Sequence, residues 1–205
     1  EALLYFDQGA PNERNRHFKA LEWSDVRIGV LEALGRKDDA QALRFSLFEQ
    51  HLSAPHLKAY IKQLGEFDDV EAESPALDQV ERHGNVHAAL AFLINWPALD
   101  RAARVVDARV EEIDGDFYEL LDPAASALEG KHSLAAVLLR RRLIEFTLQK
   151  ARSTRYRHAA RHVREIESQR SDIADYGRHE NHGDFMMRLK REHGRKPAFW
   201  SSLEE

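Results

Sequence analysis

The chain contains no cysteine, which excludes disulfide bonds and thiolate metal sites and fits a reducing compartment. It also lacks an apolar run near the roughly 18 residues of a membrane-spanning helix. The longest candidate, residues 134–139, is followed at once by Arg140, Arg141 and Arg142. With 43% hydrophobic and 32% charged residues, the composition is typical of a soluble helical domain. We therefore expect a cytoplasmic protein with no membrane partner.

Catalytic signatures are absent as well. The sequence has no glycine-rich dinucleotide fingerprint, no phosphate-binding loop and no H-E-x-x-H helix. Its carboxylates are scattered over predicted polar faces, so no acid and base pair can be nominated. We predict no catalytic residue, no cofactor and no enzymatic activity.

The chain begins with Glu1 rather than methionine, and no basic-then-apolar leader follows. We expect it to be a fragment or a processed form of a longer protein. Residues 1–20 are predicted to be the end of a truncated helix and a linker. Residues 21–205 are predicted to form one helical-repeat domain, in which residues 177–205 cap the last layer.

A helical register recurs three times, at spacings of 49 and 46 residues. Each repeat has a glycine, a small residue five positions later and a large apolar residue eight positions later. A glycine ends a helix, a small residue lets two helices approach closely, and a large one fills the groove between layers. The pattern predicts an all-α fold of roughly nine or ten helices, arranged as a right-handed α-solenoid of stacked antiparallel helix pairs. The three sets are Gly35, Ala40 and Leu43, then Gly84, Ala89 and Phe92, and then Gly130, Ala135 and Leu138.

Apolar periodicity predicts which helix faces are buried. A first full helix is predicted over residues 24–34, with Trp23, Val26, Val30, Leu31 and Leu34 facing inward. A helix over residues 132–150 is apolar almost all round at its start, so we expect it to be central. After a helix over residues 155–169, a short helix is predicted near residues 184–192, followed by a tail. This C-terminal part is expected to pack back along the 155–169 helix and to bury Phe199 and Trp200.

The charges are distributed unevenly. Residues 131–170 hold 11 Lys and Arg residues against 3 Asp and Glu residues, although the whole chain has a net charge of −5. One interpretation is internal complementarity between neighbouring helices. The other is a docking surface for an acidic partner or for nucleic acid, in which the segment 140–164 takes part. Arg157, Arg161 and Arg164 are the candidate partner-binding residues.

Five of the eleven histidines lie in the last quarter of the chain. His158 and His162 are four residues apart on a predicted helix, a spacing at which two imidazoles can share a metal ion. Both lie on the polar side of that helix, together with Glu165. His182 and His193 follow in the C-terminal segment, so these four histidines are the candidate metal ligands. The alternative is that they form hydrogen bonds that hold the C-terminal segment in place.

Several stretches resemble a family of uncharacterised bacterial proteins known only as a domain of unknown function. The resemblance rests on RYRHAARHV at residues 155–163 and HGRKPAFW at residues 193–200, and it extends upstream through residues 22–44 and 95–106. The helix-pair register also resembles tetratricopeptide solenoids. The helix at Tyr156 and Ala159 is similar to one in proteins with a SWIM-type zinc finger, but this chain has no zinc-binding cysteine. The resemblance implies an all-α repeat fold and implies no activity and no catalytic residue.

Together these features predict a non-enzymatic interaction scaffold that holds a protein or peptide. A nucleic-acid-associated module based on the segment 140–164 is the first alternative. A metal site on the C-terminal histidines is the second. The sequence does not specify an oligomeric state or a particular partner.

Overall fold

The computed structural model describes residues 16–65 and 68–204, and the side chains of residues 22–65 and 71–204. The described residues form eleven α-helices and no strand, so the all-α prediction is confirmed. The predicted number of nine or ten helices was too low. Of residues 1–20, which were predicted to be the end of a truncated helix and a linker, residues 1–15 lie outside the described residues. No helix in the described ranges combines the length and apolar character needed to cross a membrane. The helices are α1 (Arg16–Ala33), α2 (Lys37–His51), α3 (Ala54–Lys62), α4 (Asp68–Glu81), α5 (Val86–Asn95), α6 (Leu99–Arg109), α7 (Tyr118–Leu128), α8 (Ser133–Gln149), α9 (Tyr156–Ser168), α10 (His182–His193) and α11 (Pro197–Glu204).

The chain divides into two compact units, Glu1–Gln79 and Val80–Glu205, and the boundary falls inside α4. The predicted domain start at residue 21 falls inside α1, which begins at Arg16. A single domain over residues 21–205 stays a prediction.

In the first unit, α1 and α2 pack through Ile28, Leu31, Ala40 and Leu47. The predicted inward face was right for Leu31, which is buried, but wrong for Val26 and for Leu34 just after α1, which are each 55% exposed. Residues two apart on a helix point about 200° apart, so burying Ile28 turns Val26 outward.

The repeated small residues are buried as predicted, since Ala40, Ala89 and Ala135 lie near the starts of α2, α5 and α8 with at most 4% exposure. Gly35 and Gly130 have φ angles of +73° and +78°, a left-handed conformation that suits glycine after a helix. Gly84 does not have this conformation. Two of the three glycines therefore act as left-handed helix stops.

In the second unit, α8 is the central helix, as its apolar sequence predicted. It packs against α6, α7 and α9, and twelve of its residues are buried. Asn85 caps α5 by accepting hydrogen bonds from the backbone N–H groups of His87 and Ala88, and asparagine is one of the preferred residues at this position. A further close contact lies at Gly115, where an added Cβ would come within 2.2 Å of the Arg142 carbonyl oxygen. Glycine at this position lets the chain before α7 lie directly against α8.

The C-terminal segment packs along α9, which confirms the predicted return of the chain. Phe185, Leu189 and Phe199 are fully buried against the apolar side of α9, and Trp200 is partly buried. The indole Nε1 of Trp200 donates a hydrogen bond to the His193 carbonyl oxygen at 3.0 Å. The expected tail is instead a helix, α11, because Pro197 suits the first turn and Phe199 and Leu203 then reach the same apolar surface.

Candidate functional site

Arg140 lies at the centre of a charged network formed by α7, α8 and α9. It is 1% exposed, and its Nε donates to Glu165 Oε2 at 2.8 Å while Nη2 donates to Glu129. A buried guanidinium needs such partners because an unpaired buried charge is costly. We call Arg140, Glu129, Glu165, His162, Asp122 and Arg161 the Arg140 network.

His162 belongs to the same network. Its Nδ1 lies 2.9 Å from Glu165 Oε2 and 3.9 Å from Asp122 Oδ1. The sequence placed His162 on the polar side of α9, yet it is buried, because this polar side faces α7 and α8 rather than solvent. Burial lowers the pKa of His162, and the hydrogen bond with Glu165 only partly opposes this. The imidazole is therefore neutral at neutral pH.

Within the described part of the chain, one group has three side-chain donors close enough to share a metal ion. Asp122, His162 and Glu165 place ligand atoms within 4.8 Å of one another. Burial alone would raise the pKa of Glu165, but hydrogen bonds from His162 and Arg140 outweigh burial and lower it. A neutral imidazole and an ionised carboxylate are the protonation states that bind metal. Both carboxylates are, however, already neutralised, because Arg161 Nη2 donates to Asp122 Oδ2 at 3.0 Å and Arg140 donates to Glu165.

A cavity of about 350 Å³ opens beside the network. It brings together His158 and His162, the predicted pair, and also Arg161. Its other lining includes Tyr118, Arg155 and the hydroxyl-bearing Thr147 and Thr154. The cavity thus combines an aromatic wall with the two arginines and with the carboxylate of Asp122.

The other two histidine candidates lie elsewhere. His182 Nε2 pairs with Glu167 Oε2 at 2.6 Å, and its Nδ1 is buried without a partner. His193 lies at the end of α10, where burial and then the charge of Lys196 lower its pKa. Of the four candidate histidines, His162 and His182 pair with carboxylates, those of Glu165 and Glu167.

The arginines of α8 point in three directions, as their consecutive positions on a helix require. Arg140 joins its network, Arg141 Nη1 donates to the Glu180 carbonyl oxygen at 2.7 Å, and Arg142 Nε donates to the Ile113 carbonyl oxygen at 2.8 Å. Arg152 pairs with Asp116 at 2.7 Å. Most of the basic excess is therefore compensated inside the second unit, which favours internal complementarity.

Three arginines and one histidine on α9 remain exposed. We call Arg157, His158, Arg161 and Arg164 the outer face of α9, since their spacing places them on one side of the helix. Arg164 Nη1 donates to the Ser202 carbonyl oxygen at 3.0 Å, and neither Arg157 nor Arg164 has a carboxylate partner among the described residues. All three candidate partner-binding arginines thus share one exposed face.

An exposed aromatic pair that sequence reasoning missed adjoins this face. Phe117 and Tyr118 are 51% and 45% exposed at the start of α7, and we call them the aromatic surface. The His87 ring stacks on Phe117 at 4.2 Å, and the Arg155 guanidinium lies 4.4 Å from the Tyr118 ring centre. His87 is itself held, because its Nε2 accepts a hydrogen bond from the Asp114 backbone N–H at 2.9 Å. The signal in the sequence was an aromatic pair directly after the turn at residues 114–116.

Fold and site together define an all-helical protein with a buried ion network, an exposed basic helix face and an exposed aromatic pair. No curated protein and no solved structure matches the chain. A family model matches residues 1–202, and the chain belongs to this family, a family of unknown function (DUF6880).

Proposed function

We propose that the chain is a non-enzymatic interaction scaffold, built of stacked antiparallel helix pairs of tetratricopeptide type, that binds an acidic protein segment. The observation that carries the proposal is the aromatic surface, where Phe117 and Tyr118 stay exposed although neighbouring side chains hold them in place. Rigid exposed aromatic side chains are frequent anchors of binding because they offer large contact areas at low entropic cost.

The positive charge of the arginines on the outer face of α9 indicates the kind of partner that would bind. The outer face of α9 meets the aromatic surface at the 350 Å³ cavity, where Tyr118, Arg155, His158 and Arg161 share the lining. A second cavity of about 470 Å³ lies at residues 116–120, on the Phe117 side. A segment with an apolar side chain for these cavities and carboxylates for the α9 arginines complements both features. We therefore propose an acidic peptide with an apolar anchor as the occupant.

A random peptide library displayed on phage tests this proposal. Selection on the whole chain is expected to enrich acidic peptides that contain an aromatic or aliphatic residue. The Phe117→Ala/Tyr118→Ala double variant is expected to bind the enriched peptides at least about tenfold more weakly. Met187→Ala is the matched control, because Met187 is 66% exposed on α10 and lies outside the proposed surface.

Two results would contradict the proposal. One is enrichment of peptides that bind the double variant as well as the unaltered chain. The other is binding of a labelled random single-stranded or duplex oligonucleotide that is tighter than peptide binding and falls steeply with salt. That result would support the nucleic-acid alternative.

The donors Asp122, His162 and Glu165 favour a second candidate function, binding of a divalent metal ion. A metal ion would have to compete with Arg140 and Arg161 for the two carboxylates, so we place this function second. If it holds, Zn²⁺ raises the thermal midpoint and a chelator reverses the rise. His162→Ala abolishes both effects, whereas the control His182→Ala keeps them. If Zn²⁺ leaves the midpoint of the unaltered chain unchanged, metal binding is excluded as the function of this site.

A further inference from the structure

Arg141 follows Arg140 in the chain but has no carboxylate within ion-pairing distance among the described residues. It is 5% exposed, and its Nη1 donates a hydrogen bond, whereas Nε and Nη2 are buried without a partner in the described ranges. Nε and Nη2 form one edge of the guanidinium. Their parallel N–H groups match the two oxygens of a carboxylate or phosphate group.

Aromatic side chains enclose this guanidinium. Its Cζ atom lies 4.6 Å from the Phe185 ring centre and 5.5 Å from that of Tyr176. The Tyr176 hydroxyl is also buried and has no hydrogen-bond partner. Burial separates the Arg141 guanidinium from water and thereby lowers its pKa. Two unsatisfied groups that can donate hydrogen bonds thus lie together, and both need an acceptor.

Arg141 lines a cavity of about 510 Å³ between α8, α10 and the segment before α10, a volume within the usual range for small-molecule sites. Arg142, Arg178 and Arg188 line it as well. Arg188 pairs with Glu145 at 2.5 Å and with Glu180 at 2.9 Å, so these two carboxylates are compensated. Glu111, the remaining acidic lining residue, is 89% exposed. The surroundings of Arg141 therefore favour an anion.

We infer that this cavity binds a small molecule bearing a carboxylate or phosphate group, which is held by the Arg141 guanidinium in the cavity wall. The site is separate from the proposed peptide surface, because it is lined by other residues. It gives the scaffold a place for a small anionic ligand.

Calorimetric titration of the whole chain with inorganic phosphate and with acetate, at constant ionic strength in chloride, tests the inference. We expect saturable binding of at least one probe and a rise of the thermal midpoint with its concentration. Tighter binding of phosphate indicates a phosphorylated ligand, and tighter binding of acetate indicates a carboxylate ligand. Absence of saturable binding of both probes at millimolar concentrations would overturn the inference.

Variants locate the site. Arg141→Lys keeps the charge but removes the paired N–H edge, and we expect binding to weaken at least about tenfold. Arg178→Ala removes an exposed cation from the cavity lining and is expected to weaken binding several-fold, which keeps the test decisive if Arg141→Lys fails to fold. Arg152→Lys is the control, because Arg152 lies outside the cavity lining and pairs with Asp116. Undiminished binding by Arg178→Ala and Arg141→Lys, or an equal loss in Arg152→Lys, would show that the anion binds elsewhere.

Discussion

The two sides of α9 have different surroundings. Its apolar side, with Tyr156, Ala160 and Ile166, is covered by Phe185, Leu189 and Phe199 of the C-terminal helices. Its outer face carries Arg157, Arg161 and Arg164, which remain exposed. Residues on the first side lose water on folding and hold the fold together, whereas those on the second keep water and are available to a partner. Mutations on the apolar side of α9 should therefore lower the free energy of unfolding, whereas mutations on its outer face should weaken binding of a partner.

The largest expected effect is on the apolar side. Phe199→Ala removes a fully buried ring, and we expect the free energy of unfolding to fall by about 3–5 kcal/mol. Urea unfolding followed by circular dichroism measures the change. Met187→Ala, at an exposed position, is expected to have an effect within about 0.5 kcal/mol. Equal effects of the two variants would show that α11 does not cover α9.

The second-largest loss of stability is expected when the Arg140 network is broken. Arg140→Met leaves Glu129 and Glu165 without their common partner. Because both carboxylates keep partial exposure, we expect the low end of the cost of breaking a buried ion pair, about 3 kcal/mol, by urea unfolding. Peptide binding at the outer face of α9 should persist in conditions where the variant is folded. Unchanged stability would contradict a structural role for this network.

A smaller change in stability is expected when the pH is lowered. Burial lowers the pKa of His162 and His182 in the folded state, so the unfolded chain binds protons more readily. Stability is then complete above the unfolded histidine pKa of about 6.5 and falls as the pH decreases below it. Thermal midpoints between pH 7.5 and 5.5 measure this slope. His162→Gln should reduce the slope, whereas His51→Gln, at an exposed position, should not; a slope unaffected by both would exclude His162 as its source.

The smallest expected effect is at the outer face of α9. Arg157→Ala should leave the free energy of unfolding within about 0.5 kcal/mol of its original value, because its side chain is exposed. It should weaken binding of a library-selected acidic peptide about two- to fivefold, as expected for an exposed ion pair, and reduce the salt dependence of the affinity. Anisotropy titrations at two salt concentrations measure both, with Lys58→Ala, an exposed cation of the other unit, as control. If the affinity depends equally on salt in the unaltered chain, in Arg157→Ala and in Lys58→Ala, Arg157 is excluded from the interface.

Sequence periodicity was sufficient to predict the apolar side of α9. It was not sufficient to predict what the polar residues of this helix contact. The apolar stripe from Tyr156 to Ile166 follows from spacing within one helix, and so does the central position of α8. In the Arg140 network, Arg140 pairs with Glu129, which lies 11 positions before it in the chain, and with Glu165, which lies 25 positions after it. A single sequence does not show which distant carboxylate pairs with a given cation. For the same reason, the burial of His162 and the contribution of Asp122 were not predicted. The inward face of α1 was predicted only in part, because several apolar residues lie all round that helix and more than one stripe fits the pattern.

The most direct test of the proposed function is an NMR titration of the ¹⁵N-labelled chain with a library-selected acidic peptide. We predict that the largest amide shift changes fall at Phe117 and Tyr118 and along the outer face of α9, while those of α10 around Met187 stay unchanged. Saturating shift changes confined to other helices, with Phe117 and the α9 arginines unaffected, would contradict the account.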